Sequence, residues 1–215
     1  MRVTRTFAFL DLSGFTAYNA QYGDQNATLV LSQLRSAVRT ATERRGVRLA
    51  KWLGDGAMLS GLDPYNVIAC ALEAQYVLRE QEGCALPLRA GVCQGKVIMF
   101  EGDDYLGVAV NQASKLCDEA KQGEVLAAGI RRADLPGWAY PVHRRFLDPS
   151  QLGPRVEVMD ISMPAEEVES AVHDPVCGLP LLEEDVPEKM RDGGFLFCSR
   201  ECHSAWVAEL NEDVL

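Results

Sequence analysis

No apolar run in this chain approaches the roughly 18–20 residues that a membrane-spanning helix requires, although 47% of its 215 residues are hydrophobic. The apolar patch in "MRVTRTFAFLDLSG" is too short for a signal peptide and an aspartate interrupts it, so none is expected. No stripe of Lys and Arg stands out, which disfavours binding to nucleic-acid backbones. Internal repeats and low-complexity runs are also lacking. These absences lead to the expectation of a soluble, cytoplasmic protein with no membrane and no nucleic-acid partner. In such a reducing compartment the seven cysteines are not expected to form disulfides, and metal ligation is the better alternative.

Charge divides the chain. Residues 1–163 hold eighteen acidic and eighteen basic side chains, whereas residues 164–215 hold thirteen acidic and three basic. The whole net charge of −10 therefore sits in the tail. The length fits one ordinary domain plus something small. The expected division is a domain over 1–162, a linker over 163–172 within the acidic "SMPAEEVESAV", and a small domain over 173–215.

Alternating elements run through the larger part. Residues 3–11 read as a strand, "GFTAYNAQYGD" as a short helix and residues 26–44 as a longer one. "GVRLAKWLG" and "GAMLSGL" read as strands around the hairpin turn "GDG". A helix with Asp-Pro at its start follows, with apolar spacing through Ile68, Leu72, Tyr76 and Leu78. "LPLRAGVCQGKVIMFEG" reads as a strand pair. "GVAVNQASKLCDEAK" reads as a helix with Ala109, Ala113 and Leu116 on one side, and "EVLAA" and "RVEVMDI" as late strands. This order predicts an α+β fold with helices over one face of a sheet.

Two carboxylates stand out. Asp11 ends an apolar run, where a charge is costly unless it is paired, and Asp55 lies in the "GDG" turn. If their strands are neighbours, both meet at one sheet edge beside a glycine-opened helix start. Hard oxygen ligands suit Mg²⁺, and free backbone N–H groups suit phosphate. Taken singly, Asp11 reads equally as a helix cap and Asp55 as a turn residue.

The segments "FLDLSGFT", "KWLGDGAML", "RAGVCQGKV", "DDYLGVAVNQASKL" and "GEVLAA", in this order over about residues 5–160, resemble the class III nucleotide cyclase catalytic domain. The resemblance implies a ferredoxin-like cyclase sheet and a homodimer that converts ATP to cyclic AMP and pyrophosphate with two Mg²⁺ or Mn²⁺ ions per site. It implies that Asp11 and Asp55 are metal ligands, joined by the Leu12 carbonyl. Ser13, Gly14, Phe15 and Thr16 match the loop around the triphosphate. Lys51 and Asp104 match the pair that reads adenine, Asn111 the residue that orients the ribose, and Lys115 a transition-state phosphate contact where the family usually has arginine. Lys51 reads alternatively as an edge-strand lysine, and Asp103 competes with Asp104 for the base-reading position.

The tail carries Cys177, Cys198 and Cys202, the last two four residues apart at a helix start, so that both thiolates can face one ion. A unit this small gains much from a bound metal. "DPVCG" and "FCSREC" resemble the YHS/TRASH-like metal-binding module, which implies a treble-clef-like fold holding Zn²⁺ or another thiophilic ion. Candidates for a fourth ligand are Asp174, His173 and His203. Buried cysteines without metal are the alternative. Cys70, Cys84, Cys93 and Cys117 read as ordinary residues.

Two functions follow. One is an adenylate cyclase with a metal-binding accessory domain. The other is a non-catalytic nucleotide- or metal-sensing protein on a decayed cyclase scaffold, with Lys115 as the sign of decay.

Overall fold

Strand β1, Arg2–Leu12, is buried on both of its faces. Phe7 points one way and Ala8, Leu10 and Leu12 the other, and each is at most 2% exposed. A strand with two apolar faces needs cover on both. The computed structural model describes residues 2–81, 86–100, 104–147, 156–163 and 169–212. Cys84, Asp103 and linker residues 164–168 lie outside them.

The chain divides into two units, Met1–Leu135 with Pro141–Ser162, and Pro136–Tyr140 with Met163–Leu215. The first unit is a mixed α+β fold. After β1 come helix α1 (Phe15–Arg45), β2 (Arg48–Leu53), β3 (Gly56–Gly61), α2 (Pro64–Glu80), β4 (Leu88–Phe100), β5 (Asp104–Leu106), α3 (Val108–Glu119), β6 (Val125–Ala128), β7 (Tyr140–Leu147) and β8 (Val156–Ser162). The sheet order is β2-β3-β1-β4-β6-β8-β7, with β5 paired to β4. β1 lies antiparallel to both β3 and β4, and the β4–β6 pairing is parallel.

The short and the long helix expected near the N-terminus are both present within α1, separated by a break at Gly23, whose φ of 80° is left-handed. Asp63 caps α2 by accepting from the Tyr65 N–H at 3.0 Å, with Pro64 in the first turn. The expected strand pair over 86–102 is instead one long strand, β4. Its return partner is the three-residue β5, whose Tyr105 ring meets Phe7 edge-on at 5.1 Å.

Helices cover both faces, which corrects the expectation of one. Gly61 pairs with Thr6 on the Ala8 face, and a side chain there would strike Val67 of α2 at 2.5 Å. On the Phe7 face α3 lies on the β4 backbone: a Cβ on Gly91 would stand 2.3 Å from the Ala113 carbonyl oxygen, and one on Gly95 would stand 2.8 Å from Ala109. The two glycines let α3 seat Ala109, Ala113 and Leu116 into a core with Phe7, Met58, Cys93, Leu126 and Val158. Between α1 and α2, buried Arg45 donates to buried Glu73 at 2.6 Å, and Arg44 bonds the other Glu73 oxygen.

In the second unit, β9 (Val172–His173) pairs with β10 (Pro180–Leu181), and β11 (Arg191–Asp192) pairs with β12 (Phe195–Leu196). Helix α4, Arg200–Glu212, follows. Ser199 caps it, accepting from the Cys202 N–H at 3.2 Å. No helix among the described residues is long and apolar enough to cross a membrane.

Candidate active site and thiol cluster

Register brings the first two carboxylates together. Asp11 lies opposite Gly56 on β3, and the Leu12 N–H donates to the Asp55 carbonyl at 3.2 Å. Gly54 makes the turn with φ 66°. Gly56 is needed because a Cβ there would stand 2.3 Å from the Leu10 carbonyl oxygen. The "GDG" sequence is thus a turn and a close approach on either side of the acid. Burial raises the Asp55 pKa, and the nearby Asp11 charge adds to it, against a backbone hydrogen bond and Arg89.

Arg89 is the residue the sequence reading left without a role, although it lies in the quoted "RAGVCQGKV". It faces Asp11 across the β1–β4 pair and donates to one Asp11 oxygen from Nε at 2.9 Å and from Nη2 at 2.7 Å. Only the strand register reveals this partner, since 78 positions separate the two in sequence.

Asp11 and Asp55 supply hard oxygens of the kind divalent cations take, the Leu12 carbonyl ends the same strand, and Arg89 is the positive charge that acts on both acids. Beside them the Ser13 N–H donates to the Pro87 carbonyl at 2.9 Å, while the buried Ser13 hydroxyl has no hydrogen-bond partner among the described residues. Gly14, at φ 82°, opens α1 with no side-chain cap. The N–H groups of Phe15 and Thr16 thus belong to the first turn, where a helix provides no internal acceptors.

Lys51 and Asp104 form a second group. They are joined by an ion pair between β2 and β5, with both side chains about half exposed. Such a pair is worth at most about 1 kcal/mol, so either partner can exchange it for another hydrogen bond at little cost. Asn111 and Lys115 lie one turn apart on α3, the first exposed and the second half-buried.

In the second unit the three tail cysteines converge. The sulfurs of Cys177 and Cys198 are 3.5 Å apart, and those of Cys198 and Cys202 are 3.6 Å apart. Tetrahedral zinc with Zn–S bonds of about 2.3 Å places its sulfurs about 3.8 Å apart, so this spacing fits a single ion. Asp174 completes the group, with all four ligand atoms within 4.8 Å of one another and all four residues buried. Asp174 also organises the backbone. One oxygen accepts from the Val176 and Cys177 N–H groups, the other from Cys198 at 2.7 Å. Burial raises its pKa. Hydrogen bonds from Cys177 and Cys198 lower the Cys202 thiol below its ordinary value. His203 instead packs on Phe197 and lies 3.4 Å from Asp192, and exposed His173 is in β9. Neither histidine is in the cluster.

The first unit has the fold of class III nucleotide cyclase catalytic domains. Solved structures that share it include a guanylyl cyclase (TM-score 0.66, 20% identity, 75% of this chain and 92% of that one). Another is the adenylyl cyclase CyaB from P. aeruginosa (TM-score 0.60, 20% identity, 75% and 95%). In sequence, the chain is 33% identical over 144 residues to an uncharacterised protein of Mycobacterium tuberculosis. It is 32% identical over 149 residues to a pH-sensitive adenylate cyclase of the same species. These alignments cover 66% of the chain, which spans 37% of the length of either relative. No family model matches the chain.

Proposed function

We propose that this chain is an adenylate cyclase that converts ATP to 3′,5′-cyclic AMP and pyrophosphate as a homodimer, with a metal-binding accessory unit in its tail. The observation that carries the reading is the presence, on a cyclase fold, of both a carboxylate pair, Asp11 and Asp55, and a donor–acceptor pair, Lys51 and Asp104.

Asp11, Asp55 and the Leu12 carbonyl hold two Mg²⁺ or Mn²⁺ ions. When bound, the ions lower the pKa of the ribose 3′-hydroxyl and neutralise the leaving pyrophosphate. The helix-start segment Ser13 to Thr16 receives phosphate oxygens on its N–H groups. Lys51 donates to an adenine ring nitrogen and Asp104 accepts from the exocyclic amine. Guanine presents a carbonyl oxygen to Asp104, which repels it. Asn111 orients the ribose, and Lys115 stabilises charge on the phosphate as the 3′-oxygen attacks the α-phosphorus. The work is positioning and charge stabilisation rather than strong-base chemistry.

An exposed apolar patch of Ile98, Phe100, Leu106 and Val108, between 39% and 69% exposed, supports association with a second copy. In such a dimer each site takes its carboxylates from one copy and its base readers from the other. The domain division at the acidic linker, with a Zn²⁺-type ion on Asp174, Cys177, Cys198 and Cys202, belongs to the same proposal.

The test is incubation of the protein with ATP or GTP and Mg²⁺ or Mn²⁺, followed by quantification of cyclic nucleotide. Cyclic AMP from ATP, with little cyclic GMP, is the expected result. Nucleotide binding without product would support the second reading, a sensor on a decayed cyclase scaffold, which the lysine at position 115 favours.

A further inference from the structure

The second unit takes in five residues, Pro136–Tyr140, that precede most of β7 in the chain, far from the three tail cysteines. We propose that this segment is a wall of the thiol cluster, and that Trp138 is a positioning residue for Cys198 on which the affinity for a thiophilic cation depends. The proposal rests on reading the cluster as a metal site.

Cys198 is the middle sulfur, 3.5 Å from Cys177 and 3.6 Å from Cys202. Its backbone is held on both sides. The Cys198 N–H donates to Asp174 at 2.7 Å, and its carbonyl accepts the indole N–H of Trp138 at 2.9 Å. Trp138 is 2% exposed and Cys198 is 3% exposed. A buried indole N–H needs an acceptor and a buried carbonyl needs a donor, so each satisfies the other. The rest of the segment is fitted as closely. A Cβ on Gly137 would stand 2.9 Å from the Asp185 carbonyl oxygen, and the Tyr140 hydroxyl donates to the Asp185 carboxylate.

Metal ligation places demands on that peptide. Ligand distances are tolerated only within about 0.2 Å, and outer partners that orient a ligand typically alter affinity 10–100-fold. Asp174 fixes one end of the Cys198 residue, and Trp138 fixes the other. Without the indole N–H the carbonyl loses this donor, and the sulfur loses part of the orientation that lets it share an ion with both neighbours. The tail module is therefore completed by chain from between β6 and β7.

The test uses the full chain, reduced and stripped of metal with a chelator. Zn²⁺ affinity is measured by competition with a chromophoric chelator, and Co²⁺ loading by its thiolate charge-transfer and ligand-field absorption. Trp138→Phe keeps the ring and deletes the N–H. Trp206→Phe is the control, because Trp206 packs on Phe195 and Phe197 in the same unit. Trp138→Phe should bind Zn²⁺ about 10–100-fold more weakly with an altered Co²⁺ spectrum, at unchanged metal-free circular dichroism. Trp206→Phe should stay near the parent. If Trp138→Phe does not fold, Gly137→Ala, which pushes the segment off Asp185, must weaken binding instead. Parent-like affinity and spectrum in the folded Trp138→Phe protein, or in Gly137→Ala where that serves, overturn the proposal and leave the metal site standing. A parent that takes up neither Zn²⁺ nor Co²⁺ overturns both.

Discussion

Arg89 holds Asp11 by two hydrogen bonds to a single carboxylate oxygen, while its remaining nitrogen, Nη1, donates to the carbonyls of Asp118 and Ala120 at 3.1 and 3.4 Å. One guanidinium thus ties a candidate cation ligand on β1 to the end of α3, the helix that carries Asn111 and Lys115. Burial works against the Arg89 charge, but the hydrogen bond and charge of Asp11 outweigh it and raise its pKa.

Arg89→Lys should lower cyclase turnover by about one to two orders of magnitude, because lysine cannot donate to Asp11 and to two helix carbonyls at once. Arg89→Ala should lower it at least as far. Steady-state rates at saturating ATP and Mn²⁺ decide this. Parent-like turnover by Arg89→Lys would show that charge alone suffices.

The two carboxylates should separate function from stability. Asp11→Asn and Asp55→Asn should each abolish the proposed cyclisation, because neutral amides bind Mg²⁺ poorly, and each should leave the proposed dimer intact by gel filtration. Their melting temperatures without metal should move in opposite directions. Asp11→Asn weakens a partly exposed ion pair worth up to about 1 kcal/mol, so it should melt lower. The folded-state pKa of Asp55 is raised above 3.8, chiefly by desolvation. Between 3.8 and that raised value the folded state holds the proton more tightly than the unfolded chain. Stability therefore falls as pH rises through the window, and the penalty is fully present at pH 7. Asp55→Asn removes this penalty and should melt higher than the parent at pH 7. A lower melting temperature for Asp55→Asn would contradict the burial argument.

The sequence made the turn at Asp55, the start of α2 and the break in α1 legible, because glycine, proline and capping residues act locally. Partners across the sheet were less so. "RAGVCQGKV" was visible as a motif, yet the role of Arg89 depends on which strand lies opposite. Gly91 and Gly95 show their reason only when α3 is laid on them. The second helical layer was foreshadowed in β1, where Phe7 and Ala8 point to opposite faces and both are apolar, but a continuous apolar run does not say what covers either side. β7, with its sequence YPVHRRFL, lacks regular alternation and was not read as a strand. Trp138 gave no signal, since nothing local links residue 138 to residue 198.

The cysteines should sort by reactivity. Burial pushes the thiols of Cys93 and Cys117 up to about 12 and raises Cys70 as well, so none is a thiolate at neutral pH. In the tail, hydrogen bonds from Cys177 and Cys198 lower the Cys202 thiol instead. In a Cys84→Ser background, an alkylating reagent at about pH 7.5 should modify the buried tail cysteines of the metal-free protein first, as that small unit opens locally, and the other three later. One equivalent of Zn²⁺ should protect the tail. Peptide mass spectrometry reads the sites, and modification of Cys93 or Cys117 ahead of the tail would refute the assignment.

If the chain cyclises ATP as proposed, Lys115 sets the expected speed. Negative charge on the α-phosphate and the bridging oxygen grows as the ring closes. An arginine there donates two parallel hydrogen bonds to that charge, whereas lysine offers one mobile ammonium. The parent should therefore be slow rather than inactive. Lys115→Arg should raise kcat more than it changes KM, because the added contact strengthens mainly in the transition state. Lys115→Ala should lower kcat by about one to three orders of magnitude, as expected for the loss of one electrostatic stabiliser. Rates of the three proteins at saturating ATP and metal measure the effect. If Lys115→Ala turns over as fast as the parent, the side chain does not reach the phosphate. The helix face through Asn111 must then be turned away from the nucleotide.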